Sequence, residues 1–235
     1  LPSFALIPAA GAGTRFARSA RDAQPKQYLS LAGRPMLWHA VESVCSAAVE
    51  TVFVVLAPDD AQFARHDWSA FAGRLEPLYC GGATRRDSVY NGVVAAMGTV
   101  DADDWILVHD AARPCLPRAD LERLMSECAA DEIGGLLALP VADTVKRATK
   151  DEGGAQRIAG TEDRSQLWLA QTPQMFRAGL LARALRDAPA AQVTDEASAV
   201  ERLGLKPRLV LGSRENLKVT FPEDLAIAEA ILRRR

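Results

Sequence analysis

The chain has 235 residues, 49% of them hydrophobic and 25% charged, with a formal net charge of -2. That length suits one α/β domain, or one domain with an excursion, and supplies enough apolar material for a sizeable core. A balance so near neutrality excludes a broad field for nucleic acid or an anionic membrane, so any anion site must come from local placement of cations. The four cysteines (Cys45, Cys80, Cys115, Cys128) form no Cys-x-x-Cys pair, and His39, His66 and His109 lack metal-ligand spacing. A zinc centre and a disulfide framework are therefore not expected, and Cys45 and Cys128 read as small core hydrophobes. Leu1-Pro2-Ser3 has no basic head before an apolar run, and no stretch of 18 apolar residues follows. A cytoplasmic protein without a membrane span is the expectation.

Phe4-Ala5-Leu6-Ile7 opens the chain as a short apolar run, the pattern of a strand buried on both faces. It stops at Pro8 and passes into Ala9-Ala10-Gly11-Ala12-Gly13-Thr14-Arg15. Such small residues let backbone approach a bulky ligand, and successive bared N–H groups form an anion-binding hollow. Arg15 and Lys26, the latter in Pro25-Lys26-Gln27, add a planar fork and a point charge around it. The dinucleotide fingerprint does not fit, because Phe16 stands where a third small residue is required. No Gly-Lys-Ser/Thr closes a Walker loop either. The segment reads as a phosphate-cradling loop after a first strand.

Pro35 then marks a helix start, with Leu37, Val41, Val44 and Ala48 at helical spacing. Thr51 to Leu56 reads as a second buried strand, and residues 57–72 as a helix. Gly81-Gly82-Ala83-Thr84-Arg85-Arg86-Asp87-Ser88 is a second glycine turn opening a helix. Trp105 to His109 reads as a strand ending on Asp110-Ala111-Ala112-Arg113-Pro114. Residues 117–128 follow as an amphipathic helix and Leu136 to Leu139 as a strand. A helix from about Arg177 to Asp187, a strand at Arg208 to Leu211 and a last helix capped by Thr220 and Glu223 complete the series.

Strands alternating with helices predict a Rossmann-like, mostly parallel α/β sheet with helices on both faces. Ligands of such sheets bind beyond the carboxyl ends of the strands. The turns at 9–15, 81–88 and 110–113 each follow a predicted strand, so all three converge on one edge. Residues 141–171 break the pattern. Asp143 to Ala148 and Gln156 to Ala159 are short polar strand candidates around a turn at 150–154, a hairpin that needs something to pack on. Two readings stay open, a solvated surface excursion and an arm reaching a partner subunit. The whole chain, 1–235, is taken as one domain with 141–171 as its excursion.

Taken together, these segments resemble a known family along nearly the whole chain. Ala9-Ala10-Gly11-x-Gly13-x-Arg15, Pro25-Lys26-Gln27-Tyr28, Gly81-Gly82 with Arg85 and Asp87-Ser88, and Val108 to Pro114 occur in order. Thr172-Pro173-Gln174, Thr194-Asp195-Glu196-Ala197 and Asn216 to Thr220 complete the set. The chain is similar to the 2-C-methyl-D-erythritol 4-phosphate cytidylyltransferases of the non-mevalonate isoprenoid pathway. The resemblance implies that CTP and a sugar-alcohol phosphate are joined, with release of pyrophosphate, on a homodimer that uses Mg²⁺. Such a transfer needs positioning and charge neutralisation and no enzyme nucleophile.

Residue by residue, the resemblance assigns Arg15 and Lys26 to charge growing at the α-phosphate, and Arg164 and Lys218 to fixing the attacking oxygen. It places the nucleotide on Pro8, Ala9, Ala10, Gly11, Ala12, Gly13, Gly81, Gly82, Ser88, Asp110 and Ala111. The acceptor falls to Arg113, Thr144, Arg164, Thr172, Thr194 and Lys218, with Thr144 and Arg164 reaching in from a neighbouring subunit's arm. Asp110 is the carboxylate expected to meet Mg²⁺. Beside these functional roles, Ser88 has the alternative of capping the following helix, and Asp110 that of capping a turn. The chain departs from the family in a longer stretch between Arg15 and Lys26, in Phe16 where Met is common, and in Ala83 where many members are polar. Two rivals remain, a ribitol 5-phosphate cytidylyltransferase and a non-catalytic nucleotide sensor.

Overall fold

A computed structural model describes residues 1–11, 24–151 and 153–235. Its strands are β1 (Ser3–Pro8), β2 (Ser30–Leu31), β3 (Arg34–Pro35), β4 (Val52–Val55), β5 (Leu75–Leu78), β6 (Trp105–Val108), β7 (Gly134–Pro140), β8 (Lys146–Lys150), β9 (Gln156–Thr161), β10 (Trp168–Arg177) and β11 (Arg208–Leu211). Its helices are α1 (Met36–Val44), α2 (Arg85–Ala96), α3 (Arg118–Ala129), α4 (Ala178–Asp187), α5 (Glu196–Glu201) and α6 (Pro222–Leu232). Seven strands form one sheet in the order β11-β7-β10-β6-β1-β4-β5. Neighbours pair in parallel except β10, which runs antiparallel to both β6 and β7.

Helices on both sides explain why the central strands are apolar without alternation. Ala5, Ile7, Val52, Val54 and Leu107 face a layer built from α1 and α3, including Leu37, Val41, Leu121, Leu124 and Cys128. Phe4, Leu6, Phe53, Val55, Ile106 and Val108 face the opposite layer, where α2, α4 and α5 contribute Val89, Val93, Leu181, Leu185 and Val200. Gly92 lets α2 sit close to the sheet: a Cβ there would lie 2.4 Å from Val55 Cγ2 and 2.9 Å from Leu6 Cδ1. A third, smaller cluster seats Ala228 of α6 against Leu31, Met36, Cys115 and Val219.

Several local expectations are corrected. Residues 57–72 are not a helix but two single helical turns, Phe63–Arg65 and Ser69–Phe71. Asp60 Oδ1 accepts from the backbone of Gln62 and Phe63, and Asp67 Oδ1 from Ser69, so aspartates capture the N–H groups a helix would use. Helix α1 stops at Val44, where Cys45 leaves the helical conformation (φ -76°, ψ 70°), so Ala48 lies outside it and exposed, and the Arg74 guanidinium holds the carbonyls of Ser46 and Val49 in the segment beyond. At the last helix, Asp224 Oδ2 accepts from the backbone of Thr220 and Phe221, each at 2.8 Å, in place of the Thr220–Glu223 cap. Thr84 caps α2 by accepting from Asp87 N, which removes the capping alternative for Ser88.

Strands β8 and β9 pair antiparallel as a separate two-stranded ribbon within residues 141–171, every residue of β8 being exposed. The ribbon feeds into β10, whose first residues, Trp168 to Ala170, pair with β7 yet remain exposed, while Gln171 to Phe176 are buried. Pairing of β10 with β7 shifts between Ala170 and Gln174. Gln171, Thr172 and Pro173 lie in that interruption, beside the carboxyl end of β6.

Candidate active site

The carboxyl ends of β1 and β6 and the segment after β5 open on a cavity of about 350 Å³. It is lined by Pro8 to Gly11, Lys26, Gln27, Met36, Gly82 to Arg85, Ser88, Asp110 to Ala112 and Lys218. Small residues, Ala9 to Gly11, Gly82, Ala83, Ala111 and Ala112, stand there beside Lys26, Gln27, Arg85, Asp110 and Lys218. Ala9 N donates to Val55 O, and Gln27 Nε2 donates to Ala9 O at 2.6 Å, so the loop after β1 is tied on both sides. Gly81 lies against that loop: a Cβ there would come within 2.3 Å of Ala10 Cβ and 2.8 Å of Leu56 O. Gly82 N donates to Ser88 Oγ at 3.1 Å, and Ser88 Oγ donates to Thr84 O at 3.0 Å. Ser88 therefore shapes the glycine turn from beneath while still lining the cavity. Lys26 Nζ donates to Val219 O at 2.5 Å, which fixes the ammonium at the rim. Ala12, Gly13 and Arg15 lie outside the described residues.

A second cavity of about 250 Å³ adjoins the first, lined by Arg85, Asp110, Arg113, Ala170, Gln171, Thr172, Gln174, Thr194, Asp195 and Lys218. Arg85, Asp110 and Lys218 line both. Asp110 Oδ1 accepts from Arg85 Nε at 3.0 Å, and Asp110 Oδ2 pairs with Lys218 Nζ at 2.7 Å. Arg85 gives its other edge to Glu196, Nη1 to Oε1 at 2.6 Å and Nη2 to Oε2 at 3.1 Å. Burial disfavours the Asp110 charge, but Arg85 and Lys218 hold its carboxyl well below the usual carboxylate range. Burial likewise opposes the Arg85 charge, and Glu196 and Asp110 more than offset this, raising its pKa. Glu196 is pushed up by burial against the pull of Arg85.

Thr172 and Arg113 are brought to the second cavity, but their polar atoms are largely engaged inside the protein. Thr172 Oγ1 accepts from Asp110 N at 2.9 Å, so its own hydrogen points to His109 Nδ1 at 3.1 Å. His109 Nε2–H then donates to Arg113 O at 2.9 Å, which assigns the tautomer. His109 is fully buried, and burial lowers its pKa to about 4. Arg113 Nη1 donates to Asn216 O at 2.6 Å, while its buried Nε has no hydrogen-bond partner among the described residues. Thr144 and Arg164 are exposed on the 141–171 segment and line neither cavity.

Roles for Gln27, Glu196, Gln174 and His109 escape the sequence reading. Gln174 Oε1 accepts from Ala197 N, and its Nε2 donates to Asp195 Oδ2, bracing the start of α5. The one available signal is that Arg85 and Glu196 each open a helix directly after a capping residue, Thr84 and Asp195.

Two adjoining cavities that share the charged residues Arg85, Asp110 and Lys218 suit two phosphorylated ligands meeting at a common wall. The IspD family model, 2-C-methyl-D-erythritol 4-phosphate cytidylyltransferase, matches residues 3–234. The chain belongs to this family. A 2-C-methyl-D-erythritol 4-phosphate cytidylyltransferase of Nitrosospira multiformis is 54% identical over 233 residues, covering 98% of this chain and 97% of the relative. One from Laribacter hongkongensis is 56% identical over 229 residues, covering 97% and 95%. Among solved structures, a 4-diphosphocytidyl-2C-methyl-D-erythritol synthase aligns with a TM-score of 0.82 at 41% identity, over 98% of each chain. The Thermus thermophilus 2-C-methyl-D-erythritol 4-phosphate cytidylyltransferase aligns with a TM-score of 0.75 at 30% identity, over 99% of this chain and 100% of that one. Among the described residues no helix is long and apolar enough to cross a membrane, and no three His, Cys, Asp or Glu cluster around a metal position.

Proposed function

We propose that the chain transfers the cytidylyl group of CTP to 2-C-methyl-D-erythritol 4-phosphate in the non-mevalonate isoprenoid pathway. The products are 4-diphosphocytidyl-2-C-methyl-D-erythritol and pyrophosphate. A phosphate oxygen of the acceptor attacks the α-phosphorus of CTP in line, the new P–O bond forms, and the bond to the β-phosphate oxygen breaks. The observation that carries this reading is the pair of cavities divided by Arg85, Asp110 and Lys218.

CTP occupies the first cavity, its base against Gly82 and Ser88 and its triphosphate against the Ala9–Gly11 backbone. Lys26 and Arg15 meet the charge that grows at the α-phosphate. The acceptor phosphate takes the second cavity, where Lys218 and Arg113 supply cations and Thr194 a hydroxyl. Thr172 acts there as a brace for Asp110. Both Asp110 oxygens are shared with cations, so the protein alone offers a divalent ion little beyond one carboxylate. That donor set fits Mg²⁺ when triphosphate oxygens and water complete the shell. Bound in this way, the ion would neutralise phosphate oxygens. The protein works in the cytoplasm as a homodimer through its β8–β9 arm, whose Thr144 and Arg164 complete the partner's second cavity.

Pyrophosphate release from CTP and Mg²⁺ with each acceptor tests the assignment. Turnover with 2-C-methyl-D-erythritol 4-phosphate over ribitol 5-phosphate is expected. Preference for ribitol 5-phosphate reverses it, and CTP binding without turnover of either acceptor favours a sensor.

A further inference from the structure

We propose that Glu196 is a positioning residue for the transfer, acting through Arg85 and Asp110 on Lys218. Glu196 is 1% exposed and lines neither cavity, so it touches no ligand directly. Yet it ends a continuous chain of charges. Its two oxygens meet the two terminal nitrogens of Arg85 at 2.6 and 3.1 Å, the planar match that fixes a guanidinium in orientation as well as position. Arg85 then presents its remaining edge to Asp110 Oδ1, with Nε at 3.0 Å and Nη2 at 2.9 Å. Asp110 Oδ2 is thereby left for Lys218 Nζ, at 2.7 Å.

The allocation depends on Glu196. Three cations meet two carboxylates here: Arg85 bridges Glu196 and Asp110 Oδ1, while Lys218 and, more distantly at 4.0 Å, Arg113 share Asp110 Oδ2, so Asp110 has no oxygen to spare. With Glu196 neutral, the Arg85 fork loses its charged anchor and competes for both Asp110 oxygens, and Lys218 loses its fixed counter-ion. Glu196 is itself held rigidly. Asp195 Oδ1 accepts from Ser198 N, and the Gln174 amide bonds both Asp195 and Ala197 on either side of it. The side chain is thus placed by a capped helix start, which is how supporting residues hold a site to sub-ångström tolerance.

This inference rests on the reading that Lys218 orients the acceptor phosphate. Its test is steady-state kinetics with both substrates varied, on Glu196→Gln, Glu196→Asp, Arg85→Gln and the Arg85→Gln/Glu196→Gln double variant, alongside thermal melts. Glu196→Gln is expected to raise KM for the acceptor and lower kcat by about tenfold each, with KM for CTP held within about twofold. Glu196→Asp should recover part of the loss, and the double variant should match Arg85→Gln alone, because the two residues act as one unit. An acceptor KM within about twofold of wild type for folded Glu196→Gln overturns the proposal, as does an equal rise in both KM values. Should Glu196→Gln fail to fold, the double variant decides, since it removes both charges: constants equal to those of Arg85→Gln support the proposal, and a further tenfold loss or so overturns it. A wild-type protein inactive with every acceptor refutes instead the reading on which the proposal stands.

Discussion

Beside the shared Arg85, Asp110 and Lys218, the first cavity is lined by small residues, from Ala9 to Gly11 and from Gly82 to Ala83, while the second is lined by hydrogen-bonded side chains such as Arg113, Thr172 and Gln174. The difference decides how each responds to change. A backbone wall is set by close approach, so it tolerates no added atom where two loops touch. A side-chain wall is set by charge allocation, so it tolerates little neutralisation. Lys26 belongs to both kinds, an ammonium pinned by a backbone carbonyl, Val219 O.

Breaking that pinned charge has the largest expected effect. Lys26→Met should lower kcat for pyrophosphate release by roughly two to three decades, the usual loss when a preorganised donor is removed from a developing phosphate charge. A loss below about tenfold would place Lys26 outside the chemistry.

Sharing between subunits comes next. Arg15→Met and Arg164→Ala proteins should each be nearly inactive, and reassociated mixtures should regain about a quarter of wild-type activity, since half the dimers are mixed and each of those carries one intact site. Mixtures that stay inactive would count against the arm entering the partner's site.

A pH titration separates the buried brace beneath the second cavity from its surface. His109 has a folded pKa of about 4, lowered by burial from an unfolded value near 6.5. Between those values the unfolded chain binds more protons, so stability falls as pH drops from 6.5 to 4, by on the order of 3 kcal/mol for this group. The comparison is the difference in denaturant stability between wild type and His109→Gln, which should shrink towards pH 4 and level off above pH 6.5. A difference independent of pH would show that His109 is not held neutral.

The smallest expected effect sharpens the backbone side. Gly81→Ala puts a Cβ 2.3 Å from Ala10 Cβ and 2.8 Å from Leu56 O, so stability should fall by about 1–3 kcal/mol and CTP should bind more weakly. Gly160→Ala on the β8–β9 ribbon meets nothing within 4 Å and serves as the control. Equal melting temperatures for the two variants would remove the close-approach argument.

The same division governs what could be read from the sequence. Val52–Val55 and Trp105–Val108 were legible as strands because burial on both faces demands uninterrupted apolar runs. The turns after β1 and β6 and the Gly81–Ser88 turn were legible because strand ends in such sheets open on one edge. Residues 57–72 misled because Phe63 and Phe71 supply buried apolar anchors while the aspartates that break the helix act only through side-chain geometry. Strand β10 escaped because it is antiparallel and because Gln171–Gln174 splits it into two short apolar pieces, Trp168–Ala170 and Met175–Phe176. The Arg85–Glu196 pair spans 111 residues, and no local pattern announces which partner a buried charge will find. Thr172 was singled out from the sequence and lines the second cavity, but its commitment to His109 and Asp110 required the fold.

A crystal structure of the protein with CTP and Mg²⁺ tests the central claim most directly. Cytosine is expected against Gly82 and Ser88, with the α-phosphate between the Ala9–Gly11 backbone and Lys26. A triphosphate bound away from Lys26 and Asp110 would contradict it.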